Sequence, residues 1–220
     1  MEEIEALLSA KRLAKYQGLS TEDAFKYHLF NSELAESFYQ SLSYFEIVLR
    51  NKIDVVLSRH LGENWIFNQQ YHIGKNENHF NDAIERIKRE KGASYISNRD
   101  CVISELVFGY WSFMLSSAYN KVLWNKYPTM IDEIFENSKD AVKLSKISYD
   151  INKIRLYRNK VFHYGSLLVY TDDYDKPQHI HNVVYNLLRI MGAVKLSKII
   201  RSIDSFDDVY LKGKSLNILK

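Results

Sequence analysis

Glycine and proline are scarce in this chain, eight and two among 220 residues. Strand-and-turn architectures use both freely at their turns, so the scarcity argues against a sandwich or barrel and for helices. A single cysteine, Cys101, excludes an intramolecular disulfide and fits a reducing cytoplasm. Lying inside an apolar helical segment, it reads as a buried structural thiol. No run of about eighteen apolar residues occurs, so no membrane-spanning helix and no membrane partner are expected. The acidic start Met1-Glu2-Glu3-Ile4-Glu5 is unlike a signal peptide. Glycine-rich phosphate loops, a G-x-S-x-G elbow and a Ser/His/Asp order are all missing. His179-x-His181 and Asp172-Asp173-x-x-Asp175 match neither zinc nor calcium spacing, so neither metal nor cofactor is expected.

What the chain does have is bulk: sixteen tyrosines, eleven phenylalanines and three tryptophans, enough for a sizeable core and an oligomer interface. The net charge of +3 is too mild by itself to mark a nucleic-acid binder. Periodicity of three and four places Leu34, Phe38, Leu42, Phe45, Leu49, Ile53 and Val56 on one face of a long helix over 31–60. Ser20-Thr21-Glu22-Asp23 reads as a helix start, Gly62 as a stop, and 64–78 as a loop. Phe80 to Glu90 is a charged helix stopped by Gly92, and Ser97-Asn98 opens another through Leu115. Pro128 breaks the pattern before a short helical start at Asp132–Phe135. A long helix then runs from Ser138, its N-cap, to His163, and His181 to Ile203 forms a last amphipathic helix. The expectation is an all-α, up-and-down bundle over 1–203, with a loose tail over 204–220.

The stretch most suggestive of chemistry ends the Ser138 helix: Arg158-Asn159-Lys160-Val161-Phe162-His163. Arginine is a permanent cation matched to phosphate, and histidine exchanges a proton near neutral pH. Arg158 falls inside the stripe of Ile147, Ile151, Ile154 and Val161, where a charge needs a partner or an anionic ligand. Asn159 and His163 share another face. Five residues at 3.6 per turn set Arg158 and His163 about 140° apart, so one helix converges them poorly and a twofold pair of helices would serve better. The bland alternative is an ion-paired arginine and a surface histidine.

Lys139, Lys146, Lys153 and Lys160 recur every seven residues along one edge, with Arg155 nearby, as a phosphate backbone would follow. The alternative is a solvated lysine face. Glu46 and Arg50, four apart, can pair to brace their helix or support a site from behind.

Arg158-Asn159-x-x-x-His163 resembles the R-x(4–6)-H signature of HEPN ribonuclease domains, whose first variable position is usually polar. Ala24-Phe25-Lys26-Tyr27-His28-Leu29-Phe30-Asn31, Leu42 to Asn51, Leu61-Gly62-Glu63-Asn64-Trp65 and Arg99 to Trp111 precede it. Together they are similar in order and spacing to the Abi-like family of bacterial abortive-infection proteins, of the AbiD/AbiF type, from about Ser9 to about Leu168. Family members often continue with a second histidine and an acid, where Tyr164-Gly165-Ser166 stands here. The resemblance implies a HEPN-like bundle and a metal-independent endoribonuclease of phage defence, a toxin whose site is shared across a homodimer. Arg158, Asn159 and His163 would be its catalytic residues. It also implies RNA as substrate or as a bound noncoding partner, and possible restraint by an antitoxin. The competing expectations are an RNA-binding protein without turnover and a catalytically silent interaction domain.

Overall fold

The computed structural model describes residues 2–8, 10–16, 18–136, 143–170 and 172–219. Among them there is no strand, and the fold is all-α, about three quarters helical. The helices are α1 (Glu2–Leu8), α2 (Ala10–Leu13), α3 (Thr21–Ser37), α4 (Tyr39–Leu61), α5 (Lys75–Lys91) and α6 (Arg99–Glu105). They continue with α7 (Phe108–Met114), α8 (Thr129–Ile134), α9 (Leu144–Phe162), α10 (Pro177–Ile190), α11 (Val194–Ile203) and α12 (Phe206–Ser215). No helix among the described residues is long and apolar enough to cross a membrane. The chain groups into two compact units. One holds Met1–Ser43, Leu156–Asn186 and Lys195–Lys220, the other Tyr44–Arg155 and Leu187–Val194.

Ser20 caps α3 as its sequence suggests: its hydroxyl oxygen accepts from the Asp23 N–H at 3.1 Å and donates to the Asp23 carboxylate at 2.8 Å. The helix expected over 31–60 is two helices, interrupted at Phe38. Serine hydroxyls explain the interruption, because Ser37 donates to the Leu34 carbonyl at 2.7 Å and Ser41 to the Phe38 carbonyl at 3.1 Å. Such bonds compete with the helical ladder and bend it. The apolar face survives, with Leu34, Phe38, Leu42, Phe45, Leu49, Ile53 and Val56 all buried. The helix expected from 97 to 115 likewise divides at Leu106-Val107, and the final one divides at Gly192, whose φ of +81° turns the chain. The 64–78 segment holds two short 3₁₀ turns, Trp65–Phe67 and Gln69–Tyr71, before α5. The expected Ser138 cap lies outside the described residues.

In the first unit, the residues after Asp204, expected as a loose tail, form α12 and pack on α3. The cause is a buried polar knot. His181, fully buried, meets Asp204 through Nε2 at 2.7 Å and an Arg201 guanidinium nitrogen through Nδ1 at 2.7 Å. The Tyr185 hydroxyl donates to the same Asp204 oxygen at 2.5 Å, and Phe206 stacks on the His181 ring at 3.9 Å. From there Phe206, Val209 and Tyr210 bury one face of α12.

In the second unit, α5 packs on α6 and α7 around Trp65, Tyr110, Trp111 and Tyr119, all buried. Asn76, buried, donates to the Tyr110 carbonyl at 3.0 Å and to the Tyr119 hydroxyl at 2.9 Å. His72 donates from Nε2 to the Ile66 carbonyl at 2.7 Å and accepts from the Tyr110 hydroxyl at Nδ1 at 3.1 Å. Burial holds the His72 pKa below its ordinary 6.5. The unfolded chain therefore takes up a proton near pH 6.5 before the folded one does, and stability falls as pH drops through that value. Thermal unfolding followed by circular dichroism should show a lower midpoint at pH 5.5 than at pH 7.5. His72→Gln, which has no proton to gain there, should flatten the difference.

Cys101 departs from the expected buried thiol. It is half-buried, with the Lys91 ammonium 3.4 Å and the Tyr95 hydroxyl 3.6 Å from its sulfur. Those two groups lower its pKa, Tyr95 first.

Candidate functional site

Helix α9 carries the candidate site at its C-terminal end. Ile147, Ile151, Ile154 and Val161 are buried, as their spacing predicts, and Tyr157 joins them. That burial fixes the rotation of the helix about its axis, and so where Arg158, Asn159 and His163 project. Arg158 is half-buried, and its guanidinium lies 4.5 Å from the centroid of the Phe162 ring, one turn on. A cation over an aromatic face is attracted to it, which restrains an otherwise mobile side chain.

His163 stands just past the last helical residue. Its N–H donates to the Asn159 carbonyl at 3.0 Å, closing the last turn, while the residue itself is exposed. Asn159 therefore meets His163 through the backbone, and its amide makes no hydrogen bond to the imidazole. Tyr164 follows at φ +57°, the left-handed conformation that ends a helix, and the Gly165 N–H returns to the Lys160 carbonyl at 2.6 Å. A Cβ at Gly165 would come within 3.0 Å of the Lys160 backbone, so glycine suits this close return.

Asn31 of α3 completes the anchorage. Buried, it donates to the Gly165 carbonyl at 3.1 Å and accepts from the Leu167 N–H at 2.6 Å. One side chain thus holds the chain two and four residues beyond His163. Sequence reasoning did not single out this role, because the partners are 134 and 136 residues away.

The basic edge is more modest than its sequence implies. Lys139 lies outside the described residues. Lys146 is exposed and paired with Asp150 at 2.5 Å. Lys146 and Lys153 lie 5.6 and 5.7 Å from the exposed Tyr149 ring, which sits between them on α9. Arg155 is held by the Asn152 amide oxygen at 2.9 and 3.2 Å, and Lys160 is half-buried. On α4, Arg50 Nε donates to the amide oxygen of the adjacent Asn51 at 3.1 Å.

Among the described residues, no group of three His, Cys, Asp or Glu side chains gathers as a metal site. His181, weighed in the sequence beside His179, is instead engaged by Asp204 and Arg201. Comparison with protein-family models, with curated proteins and with solved structures gave no match.

Proposed function

We propose that this chain is a metal-independent endoribonuclease of the HEPN kind, acting in phage defence. The observation that carries the reading is the end of α9, where a restrained Arg158 and an exposed His163 stand five residues apart. In the chemistry, the RNA's 2′-hydroxyl attacks the adjacent phosphorus. The O2′–P bond forms as the P–O5′ bond breaks. His163 of one copy takes the 2′-hydroxyl proton, and a protonated His163 of a second copy gives one to the leaving O5′. Arg158 meets the charge on the non-bridging oxygens. Asn159 contacts the phosphate. Because Arg158 and His163 diverge about 140° around one helix, the site is completed by a homodimer pairing two such helix ends.

Three results test this together. The cleaved ends should be a 2′,3′-cyclic phosphate and a 5′-hydroxyl, cleavage should persist in excess EDTA, and the active species should elute as a dimer. Activity restored only by magnesium, or 5′-phosphate ends, would place the chain in another nuclease class.

The second reading is an RNA-binding protein without turnover, holding a structured noncoding RNA; the Lys146–Tyr149–Lys153 cluster favours it. Lysines follow phosphates, and an exposed ring between them offers a stacking face. Lys146, Lys153, Lys160 and Arg155 are accordingly the proposed RNA contacts in either reading. Changing Lys146, Lys153 and Lys160 to glutamate should weaken RNA binding by more than tenfold and flatten its salt dependence, because fewer counterions are released. Filter binding across a salt series would show it, and an unchanged slope would remove this edge from the interface.

A further inference from the structure

A cleft of about 360 Å³ opens in the first unit beside the end of α9, lined by Arg12, His28, Glu36, Tyr39, Phe162 and Tyr164. Its size is at the small end of ligand pockets, roughly 300–1,000 Å³, enough for one nucleotide and not for a duplex. Three of those residues are aromatic and present usable faces. Tyr39 is 57% exposed, its ring 5.5 Å from that of Phe162, and Tyr164 is 72% exposed. Grouped in one cleft, such rings offer platforms on which bases stack whatever their identity.

The polar groups suit the rest of a nucleotide. The Arg12 guanidinium lies 5.9 Å from the Tyr164 centroid and makes no ion pair with a described carboxylate, so its charge is available to a phosphate. His28 is half-buried, with its ring 6.4 Å from that of Tyr16. Burial, then the charges of Arg12 and Lys15, hold its pKa below the ordinary histidine value. It is therefore neutral at pH 7, with one ring nitrogen to donate and one to accept. Glu36, exposed, offers an acceptor for a ribose hydroxyl or an exocyclic amine.

We infer that this cleft binds one unpaired nucleotide of an RNA strand, its base against Tyr39 and Phe162 and its phosphate at Arg12. The inference rests on the RNA-directed reading above and adds the place where the strand is gripped beside the reacting phosphate. Phe162 joins the two, since one ring lines the cleft and lies under the Arg158 guanidinium. A base seated there, with its own phosphate at Arg12, leaves the next phosphodiester of the strand on the Arg158 side.

The test uses the full chain carrying His163→Ala, so that RNA stays intact, and a short fluorescein-labelled single-stranded RNA read by anisotropy. Adding Tyr39→Ala should weaken binding about tenfold, the scale of one lost stacking contact. Tyr39→Phe keeps the ring and should restore the affinity. Arg12→Gln should weaken binding and lower the salt slope by about one counterion. Ultraviolet crosslinking should attach the RNA to Tyr39, Phe162 or Tyr164. Unchanged affinity in both Tyr39→Ala and Arg12→Gln, with melting curves like the parent's, would overturn the inference. If wild-type protein cleaves RNA and these changes leave its KM unmoved, the cleft assignment falls and the ribonuclease stands. If the changes weaken binding while no RNA is cleaved, the ribonuclease falls and the cleft stands.

Discussion

Replacing His163 by alanine is expected to lower RNA cleavage by a factor of about 10² to 10⁴, the usual contribution of a positioned proton-transfer group. RNA affinity should stay within about twofold, because the lysines of α9, Arg12 and the aromatic cleft remain. Toxicity on expression should disappear together with cleavage. The fold should be indifferent, since His163 is exposed and contributes only its backbone N–H to the last turn of α9. Circular dichroism of the variant makes that control simple. Arg158→Ala should impair cleavage comparably, yet it also removes the cation resting on Phe162, so its melting temperature must accompany its rate. A fully toxic, fully active His163→Ala protein would refute the catalytic assignment. Lost toxicity, with no cleavage found for the wild type on any RNA, would leave the binding reading in its place.

The second large effect is on stability. Asp54 is buried on α4 and does two jobs: one oxygen accepts from the Trp65 indole at 3.0 Å, the other from Arg99 at 2.5 Å. Arg99 also donates to the Ser58 hydroxyl at 2.9 Å. Asp54→Ala takes that acceptor from the buried indole N–H and from Arg99, which is partly exposed and keeps Asp100 at 2.9 Å and Glu63 at 3.7 Å. An indole N–H left without a partner, with one charged hydrogen bond lost, costs about 2 kcal/mol. For a chain of this size that corresponds to a fall in Tm of roughly 4–8 °C. Asp54→Asn keeps an acceptor for Trp65 and should lose distinctly less. Equal melting of Asp54→Ala and the wild type would show that the network contributes nothing net.

These two cases mark what a sequence of this kind reveals and what it hides. The stripe from Leu34 to Val56 is legible because helical burial repeats every three to four residues and each position announces itself by its type. The same rule identifies Ile147, Ile151 and Ile154, and with them the orientation of Arg158. Interruptions are harder to read. Nothing in composition warns that the Ser37 and Ser41 hydroxyls will turn on the backbone at Phe38. Phe206, Val209 and Tyr210 do carry a helical spacing, yet it is short and diluted by Asp207, Asp208 and Lys212. What commits that segment is the partnership of Asp204 with His181, twenty-three residues earlier. Asp54 likewise looks like a surface acid on α4, because Arg99, its partner, lies 45 residues away. At the candidate site, the arginine and histidine are visible as a local string. The clamp by Asn31 and the cleft walls from Arg12, His28 and Tyr39 are not, since only folding brings them to the end of α9.

The docking of α12 on α3 bears on how such a protein is made. Lys212 bonds Glu33 at 2.7 and 2.8 Å, a contact spanning 179 residues of chain. At Gly213, a Cβ would lie 2.3 Å from the tip of the Phe30 ring and 2.7 Å from the Leu219 side chain, so any larger residue there forces those side chains to move. The ribosome emits α3 long before α12. Nearly all of the second unit lies between them in a single stretch, 44–155, free to fold as it emerges. The unit bearing Arg158 and His163 is assembled from three separated segments, and it closes only when the last of them is released. On the proposed ribonuclease reading, an enzyme built in this order would stay incomplete throughout its own translation, and the messenger that encodes it would be spared until synthesis is nearly finished.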